Sequence, residues 1–124
     1  MNTASRKAKG KRLQKIICKL ILKYFPKLNE EDVLSRRMGR KGEDIILSDK
    51  AKNVFPYSIE CKNQEKLKYI WDCYAQCENN SGNFQPLLIL KMNTKKPLAI
   101  IDAEYFIHEE SKKVRPLNLG DEVI

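Results

Sequence analysis

Long apolar runs, an export signal and repeated segments are all missing from this sequence of 124 residues. The longest apolar stretches, such as residues 86–90 and 97–101, are only a few residues long, so none can cross a bilayer. No apolar segment of the kind found in a secretory signal follows the basic N-terminus. These absences exclude membrane proteins, collagens and coiled coils, and the length predicts one compact domain.

Cysteine and histidine are too sparsely placed for a typical zinc site. The chain has Cys18, Cys61, Cys73 and Cys77, with no CxxC pair among them, and its one histidine is His108. We therefore expect reduced thiols and a cytoplasmic location rather than a disulfide-rich miniprotein. A structural zinc site is kept as the less favoured alternative.

Positive charge is concentrated in the first third of the chain. Residues 1–41 contain 13 Lys and Arg and 3 Asp and Glu, a net charge of +10. Residues 42–124 contain 11 and 13, a net charge of −2, which together give the overall +8. This asymmetry favours a polyanionic partner, and nucleic acid is the leading candidate because neutralised phosphates release counterions. A solubilising tail is the alternative.

An amphipathic helix is predicted from Gly10 to about Phe25, where Pro26 ends it. Its apolar positions recur at helical spacing: Leu13, Ile16, Ile17, Leu20, Ile21 and Tyr24. The opposite face is basic, with Lys11, Arg12, Lys15, Lys19 and Lys23. Residues 1–9 have no apolar periodicity and are predicted to form a flexible basic arm.

The rest of the chain reads as an α/β pattern. Short strands are predicted over residues 33–38, 44–47 and 54–62, with a glycine-containing turn at 39–42 and a polar connection at 49–53. A helix is predicted over residues 64–78, two apolar strands over 87–91 and 98–102, and a short helix over 103–107. Residues from 111 onward are predicted to be a peripheral tail.

The candidate chemistry lies in two segments, Gly42–Ile46 and Ser58–Lys62. Alternation along a strand puts Glu60 and Lys62 on one face, and Asp44 on the neighbouring strand would meet Glu60. Paired carboxylates repel each other unless a cation lies between them, and oxygen ligands suit Mg²⁺. The backbone carbonyl of Cys61 is a further candidate ligand, and Lys62 would orient or deprotonate the attacking water.

Such a site meets the needs of phosphodiester hydrolysis, because a metal polarises the phosphoryl group and a lysine stabilises the developing negative charge. A Glu-x-Lys pattern alone is weak evidence, since it is common in lysine-rich proteins and usually marks a solvated strand edge. The apolar strand-like context and the preceding basic helix strengthen it here.

Four segments carry a family resemblance: GEDIILS, FPYSIECKNQE, IWDCYAQCENNSG and PLLILKMN. They resemble the small phage-type endonucleases of the PD-(D/E)xK superfamily, which are often described as Holliday junction resolvase-like. The resemblance runs from Lys9 to Phe106. It implies a restriction-endonuclease-like core over residues 10–110, with a mixed β-sheet of about five strands flanked by helices.

The resemblance also implies roles for individual residues. Asp44 and Glu60 would bind Mg²⁺, for which Mn²⁺ would substitute, and Lys62 would assist the water. Gln14 stands where the superfamily often has an acidic residue on its first helix, and Gln76 matches a polar position near the site. Glu43 adjoins Asp44 and is a further supporting candidate.

The predicted substrate is DNA, with a branched or structured form implied by the resemblance alone. The predicted DNA-binding residues are Lys9, Lys11, Arg12, Lys15, Arg36, Arg37, Arg40, Lys41 and Asn63. Symmetric cutting of a junction would require a homodimer, and the resemblance suggests a phage or mobile element acting in a bacterial cell.

Three alternatives remain open from the sequence. The first is a nicking or site-specific nuclease with the same fold, since specificity lies in loops rather than in the shared site. The second is a non-catalytic nucleic-acid-binding module in which the basic helix acts alone. The third is a protein-binding or inhibitory factor, whose binding would hardly respond to salt.

Overall fold

The computed structural model describes residues 3–37 and 39–115. The helices are α1 (Thr3–Tyr24), α2 (Asp49–Val54), α3 (Lys68–Asn80) and α4 (Ala103–Ser111), with a 3₁₀ turn at Glu30–Asp32. The strands are β1 (Val33–Ser35), β2 (Ile45–Leu47), β3 (Leu88–Leu90) and β4 (Leu98–Ile100). Two compact units are formed, one by the residues up to Asn63 together with those from Ile107 onward, the other by Gln64–Phe106.

Helix α1 begins at Thr3, well before the predicted start at Gly10. Residues 3–9, which were predicted as a flexible arm, are therefore helical, and the first two residues lie outside the described range. Apolar periodicity marks only the packed part of a helix, whereas Ala, Lys and Arg also favour helix without packing. The helix ends at Tyr24, where the Phe25 N–H donates to the Ile21 carbonyl over 2.9 Å.

The buried face of α1 is rotated from the one that its apolar residues indicate. Gln14, Cys18 and Ile21 are buried, at spacings of four and three residues. Ile16, which belonged to the predicted stripe, is 54% exposed. The helical spacing was predicted correctly. The buried position of Gln14 was not, because a pattern of apolar residues cannot indicate that an amide is buried.

Strands β1 and β2 form an antiparallel hairpin in which Val33 faces Leu47 and Ser35 faces Ile45. Val33, Ile45 and Leu47 are buried, while the intervening Leu34 and Ile46 are exposed, as strand alternation requires. The predicted strand at residues 44–47 is confirmed by β2, and β1 is shorter than the predicted strand over 33–38.

The polar connection predicted at residues 49–53 is wrong, because this segment forms α2. Ser48 is its N-cap and accepts a hydrogen bond from the Ala51 N–H over 3.1 Å. The same hydroxyl donates to the Asp32 carboxylate over 2.7 Å, which ties α2 to the turn before β1. Ala51 faces inward and is buried.

The core of the first unit continues through aromatic contacts. Phe25 and Phe55 pack edge to face with ring centroids 5.7 Å apart, and Phe55 packs against Tyr57 at 4.7 Å. Tyr24 stacks on His108 of α4 with centroids 4.6 Å apart. These contacts hold the segment after α2 and the second half of α4 beside the end of α1.

The second unit consists of α3, the β3–β4 hairpin and the first half of α4. The hairpin is antiparallel, with Ile89 opposite Ala99. Helix α3 begins at Lys68, later than the predicted Gln64, and β3 and β4 confirm the two predicted apolar strands in shortened form. None of residues 64–106 is buried, and Trp71 is 64% exposed.

The predicted mixed sheet of about five strands is wrong. In the described part of the chain, the four strands form two separate two-stranded antiparallel sheets, β1–β2 and β3–β4. The predicted strand over residues 54–62 is not one, since Val54 ends α2 and residues 56–62 have no regular structure. Pro56, which lacks an N–H donor, opens this segment.

Within residues 3–37 and 39–115, none of the helices combines the length and the apolar character needed to cross a membrane.

Candidate functional site

Asp44 lies immediately before β2 and is held by three hydrogen bonds. Its N–H donates to the Ile59 carbonyl over 3.0 Å, and its carbonyl accepts from the Arg36 N–H over 2.8 Å. Its side-chain Oδ2 accepts from the Cys61 N–H over 2.6 Å. The structure therefore brings the Asp44 carboxylate against the backbone of the Glu60-Cys61-Lys62 segment, which is not a strand. The predicted meeting of the Asp44 and Glu60 carboxylates stays a prediction.

The Cys61 hydrogen bond also explains why this segment is not a third strand. A strand pair is held by N–H groups that donate to backbone carbonyls of the neighbour. Here one bond of that kind, from Asp44 to Ile59, is followed by a bond from Cys61 to a carboxylate instead. A side chain takes the place of the backbone acceptor, and the segment continues as an irregular chain.

Glu60 and Lys62 are both exposed, on either side of the half-buried Cys61. Their side chains are open to solvent and can meet a ligand as large as a polynucleotide. Asp44, by contrast, is half-buried. Asp44 is thus a fixed acidic group, and the adjoining segment has an exposed carboxylate at Glu60 and an exposed amine at Lys62.

The thiol of Cys61 reports the electrostatics of this region. Burial, with smaller contributions from the nearby Asp44, Cys18 and Glu60, raises its pKa to about 11. Asp44 and Glu60 therefore both act electrostatically on the Cys61 thiol. Clustered negative charge of this kind favours a bound cation.

The candidate donors are the carboxylates of Asp44 and Glu60 and the backbone carbonyl of Cys61. In the ranges that the structure describes, no cluster of three or more His, Cys, Asp or Glu side chains could hold a metal ion. Mg²⁺ does not require such a cluster, because it binds through one or two carboxylates and keeps several waters. Oxygen donors of these types are the ones that Mg²⁺ prefers. Mg²⁺ binding stays a prediction.

Gln14 lies beside the same hairpin. It is buried, and its Oε1 accepts a hydrogen bond from the Ser35 hydroxyl over 2.6 Å. Ser35 pairs across the hairpin with Ile45, which follows Asp44 in the chain. The contact with Ser35 was not visible in the sequence, since no spacing rule joins a helix residue to a strand residue 21 positions later.

The remaining supporting candidates differ in placement. Glu43 is half-buried, and its carbonyl accepts from the Arg36 side chain over 2.5 Å. Gln76 is exposed on α3 in the second unit. Neither residue makes a described contact with the Asp44 carboxylate, so their supporting roles stay predictions.

The predicted DNA-binding residues divide by exposure. Exposed are Arg12, Lys15, Arg37, Arg40, Lys41 and Asn63, whereas Lys9, Lys11 and Arg36 are half-buried. Lys11 donates its Nζ to the Arg36 carbonyl over 3.4 Å. The basic face of α1 is therefore linked directly to the base of the loop that leads to Asp44.

The four cysteines are free thiols. Cys18 is buried, and Cys61, Cys73 and Cys77 are half-buried.

Comparisons with protein-family models, curated proteins and solved structures return no match to this chain.

Proposed function

We propose that this protein is a metal-dependent DNA endonuclease that hydrolyses phosphodiester bonds, with Asp44, Glu60 and Lys62 as its catalytic residues. The observation that supports this best is the hydrogen bond from the Cys61 N–H to the Asp44 carboxylate. It joins an acid from one part of the chain to a Glu-x-Lys segment 17 residues later.

Each residue has a distinct part in this proposal. Asp44 and Glu60 would hold the metal ion, Mg²⁺ or Mn²⁺, which supplies polarisation of the phosphoryl group and a more acidic bound water. Lys62 places a cationic amine where negative charge develops on the phosphate, and orients the water that attacks it. Asp44 is held in place by three hydrogen bonds. The side chains of Glu60 and Lys62 would adjust to its position.

The basic face of α1 and the loop between β1 and β2 would bind the DNA backbone. Arg12, Lys15, Arg37, Arg40 and Lys41 are exposed and carry the charge that such binding needs. Lys11 connects the two surfaces through its bond to Arg36. Phosphates bound along this surface would bring the scissile bond towards the Asp44 region.

A preference for branched DNA, a homodimer and a cytoplasmic location belong to the same proposal. The first two are supported by the resemblance to junction-resolving endonucleases, and the third by the four free thiols. Specificity of this kind resides in loops and in dimer geometry rather than in the hydrolytic site.

The test compares linear, nicked, flap and four-way-junction DNA, with Mg²⁺ or with chelator. Asp44→Asn keeps an oxygen acceptor for the Cys61 N–H but removes the charge. We expect Asp44→Asn, Glu60→Gln and Lys62→Ala each to slow cleavage by roughly 10²-fold or more, with DNA affinity within about twofold of wild type.

Asp72→Asn is the matched control, since Asp72 is an exposed aspartate of the second unit paired with Lys68. It should leave both cleavage and binding unchanged. Cleavage that persists in chelator, or that is equal in Asp44→Asn and wild type, contradicts the proposal.

A non-catalytic nucleic-acid-binding module is the second candidate. One observation favours it: Arg12, Lys15, Arg37, Arg40 and Lys41 are exposed, and the charge that binds a phosphate backbone needs no metal ion. In that case DNA binding would be strong and dependent on salt, with no Mg²⁺-stimulated cleavage by the wild-type protein.

A further inference from the structure

Arg36 follows β1 directly and makes contacts that a DNA-binding arginine does not need. Its backbone N–H donates to the Asp44 carbonyl over 2.8 Å. Its side-chain Nε donates to the Glu43 carbonyl over 2.5 Å. One residue therefore binds the two carbonyl groups that flank the Cα atom of Asp44.

The backbone N–H of Asp44 bonds to a different segment of the chain. The Asp44 N–H donates to the Ile59 carbonyl over 3.0 Å. The peptide between Glu43 and Asp44 is thus held at its oxygen by Arg36 and at its nitrogen by the segment that contains Glu60. A change at Arg36 would shift Asp44 relative to that segment.

Gly42 provides the space for this contact. It has a φ of +114°, which L side chains rarely adopt. A Cβ atom at this position would lie 2.8 Å from both the Cζ and the Nη2 atoms of Arg36. The backbone conformation therefore favours glycine here, and a side chain at this position would force the guanidinium group to shift.

We propose that Arg36 is a positioning residue that fixes Asp44 for hydrolysis by binding the carbonyls on either side of it, and that Gly42 is the glycine that admits its guanidinium group. The catalytic part of this inference rests on the proposed function. The geometric part concerns the order of the Asp44 backbone and can be measured without any cleavage.

The experiment compares Arg36→Lys, Arg36→Met and wild type by three measurements. They are amide hydrogen exchange at Asp44, DNA affinity, and single-turnover cleavage at saturating DNA over a range of Mg²⁺ concentrations. Lysine keeps the charge but lacks the Nε–H at the branch point of the guanidinium group. Lys27→Met is the control, since Lys27 is an exposed cation outside the hairpin.

We expect both Arg36 variants to exchange the Asp44 amide roughly 10-fold faster and to cleave roughly 10-fold more slowly than wild type. The Mg²⁺ concentration for half-maximal cleavage should rise several-fold, because the carboxylate is no longer held in place. DNA affinity of Arg36→Lys should stay within about twofold of wild type. Lys27→Met should match wild type in exchange and cleavage.

The opposite pattern overturns the inference. If Arg36 acts only as a phosphate contact, lysine restores cleavage and Asp44 exchange stays slow in both variants. Arg36→Met would then weaken DNA binding and reduce the salt slope by about one. If wild type does not cleave DNA with Mg²⁺, the proposed function fails, while the exchange rates still decide whether Arg36 orders Asp44.

Gly42→Ala supplies an independent check. It should raise exchange at Asp44 by a similar factor, because the new methyl group displaces the guanidinium group. In Arg36→Met the steric part of this effect is already absent, so the double variant should change less than the sum of the two single effects. Strict additivity would show that Gly42 does not act through Arg36.

Discussion

Cys61 shows how one residue can report on its neighbours at the scale of a single side chain. Its N–H binds the Asp44 carboxylate, and its thiol has a pKa of about 11 because of burial and nearby negative charges. Burial also raises the pKa of the Cys18 thiol. Both thiols are therefore protonated at neutral pH, and the thiolate is the reactive form.

We expect alkylation by iodoacetamide at pH 8 to be slow at Cys61 and Cys18, and to accelerate about 10-fold per pH unit at Cys61 until the pH approaches its pKa. Asp44→Asn removes a charge that raises this pKa, so it should speed the reaction at Cys61. Peptide mass spectrometry measures the rate at each cysteine. An unchanged Cys61 rate in Asp44→Asn would show that the Asp44 carboxylate does not influence the pKa of this thiol.

Glu110 is a second residue whose behaviour depends on its surroundings. It is buried, its Oε1 accepts from the Tyr57 hydroxyl and from Arg115 Nη2, and Lys113 forms an ion pair with it. Arg115 also donates to the Val54 carbonyl over 3.1 Å. Burial raises the pKa of Glu110, but the bonds from Lys113 and Tyr57 and the nearby positive charges outweigh burial and lower it.

A carboxyl whose pKa is lower in the folded state stabilises the fold above its unfolded pKa and loses that effect as pH falls through the folded value. We therefore expect Glu110→Gln to reduce the free energy of unfolding by about 2 kcal/mol at pH 7. The difference from wild type should shrink below about pH 4. Urea unfolding at several pH values measures it, with Glu109→Gln, which breaks only a surface pair with Lys112, as the control.

At the scale of secondary-structure elements, helix α2 depends on its N-cap, Ser48. Ser48 precedes a short helix and binds the Ala51 N–H, while its own hydroxyl donates to Asp32. Hydrogen bonds from Asn29 and Ser48 lower the pKa of Asp32. The short polar segment after Ser48 was predicted as a connection because it carries little apolar periodicity.

We expect Ser48→Ala to lower the free energy of unfolding by roughly 1 kcal/mol, since it removes an N-cap. The pKa of Asp32 should move up towards its usual value in the same variant, because a hydrogen bond to the ionised form is lost. Chemical denaturation measures the first effect and NMR titration the second. Ser58→Ala, at an exposed serine, should show neither.

The elements show why some features could be predicted and others not. Helix α1, β2 and the β3–β4 hairpin follow from apolar periodicity and turn residues. The sequence predicted, from strand alternation, that the carboxylates of Asp44 and Glu60 meet. The structure instead shows the Asp44 carboxylate bonded to the Cys61 N–H, in a segment that is not a strand. The sheet was not predicted correctly, because it depends on which backbone groups pair, and the Asp44 side chain takes an N–H that a third strand would have offered to a backbone carbonyl.

At the scale of the whole molecule, only one of the two units carries the net charge. Residues 64–106 contain five basic and five acidic side chains, so the entire net charge of +8 belongs to the rest of the chain. Polyanion binding through the first unit is therefore expected to carry nearly all of the salt dependence.

Replacing Arg12 and Lys15 with Gln should lower the slope of log K against log salt concentration by about two on duplex DNA, since two phosphate contacts are lost. The matched control replaces Lys95 and Lys96, two exposed lysines between β3 and β4, and should leave the slope unchanged. Fluorescence anisotropy over a salt series measures both. Equal slopes for the two double variants would show that α1 does not contact the DNA.

The closure of the β1–β2 connection by Arg36 has a consequence for how such a protein can diversify. Because the two carbonyls around Asp44 are anchored at the base of this connection, its tip can gain or lose residues without displacing the acid. Doubling the length of a flexible connection costs only about 0.6 kcal/mol. Insertions between Arg40 and Lys41 can therefore alter what the tip encounters while Asp44 keeps its position.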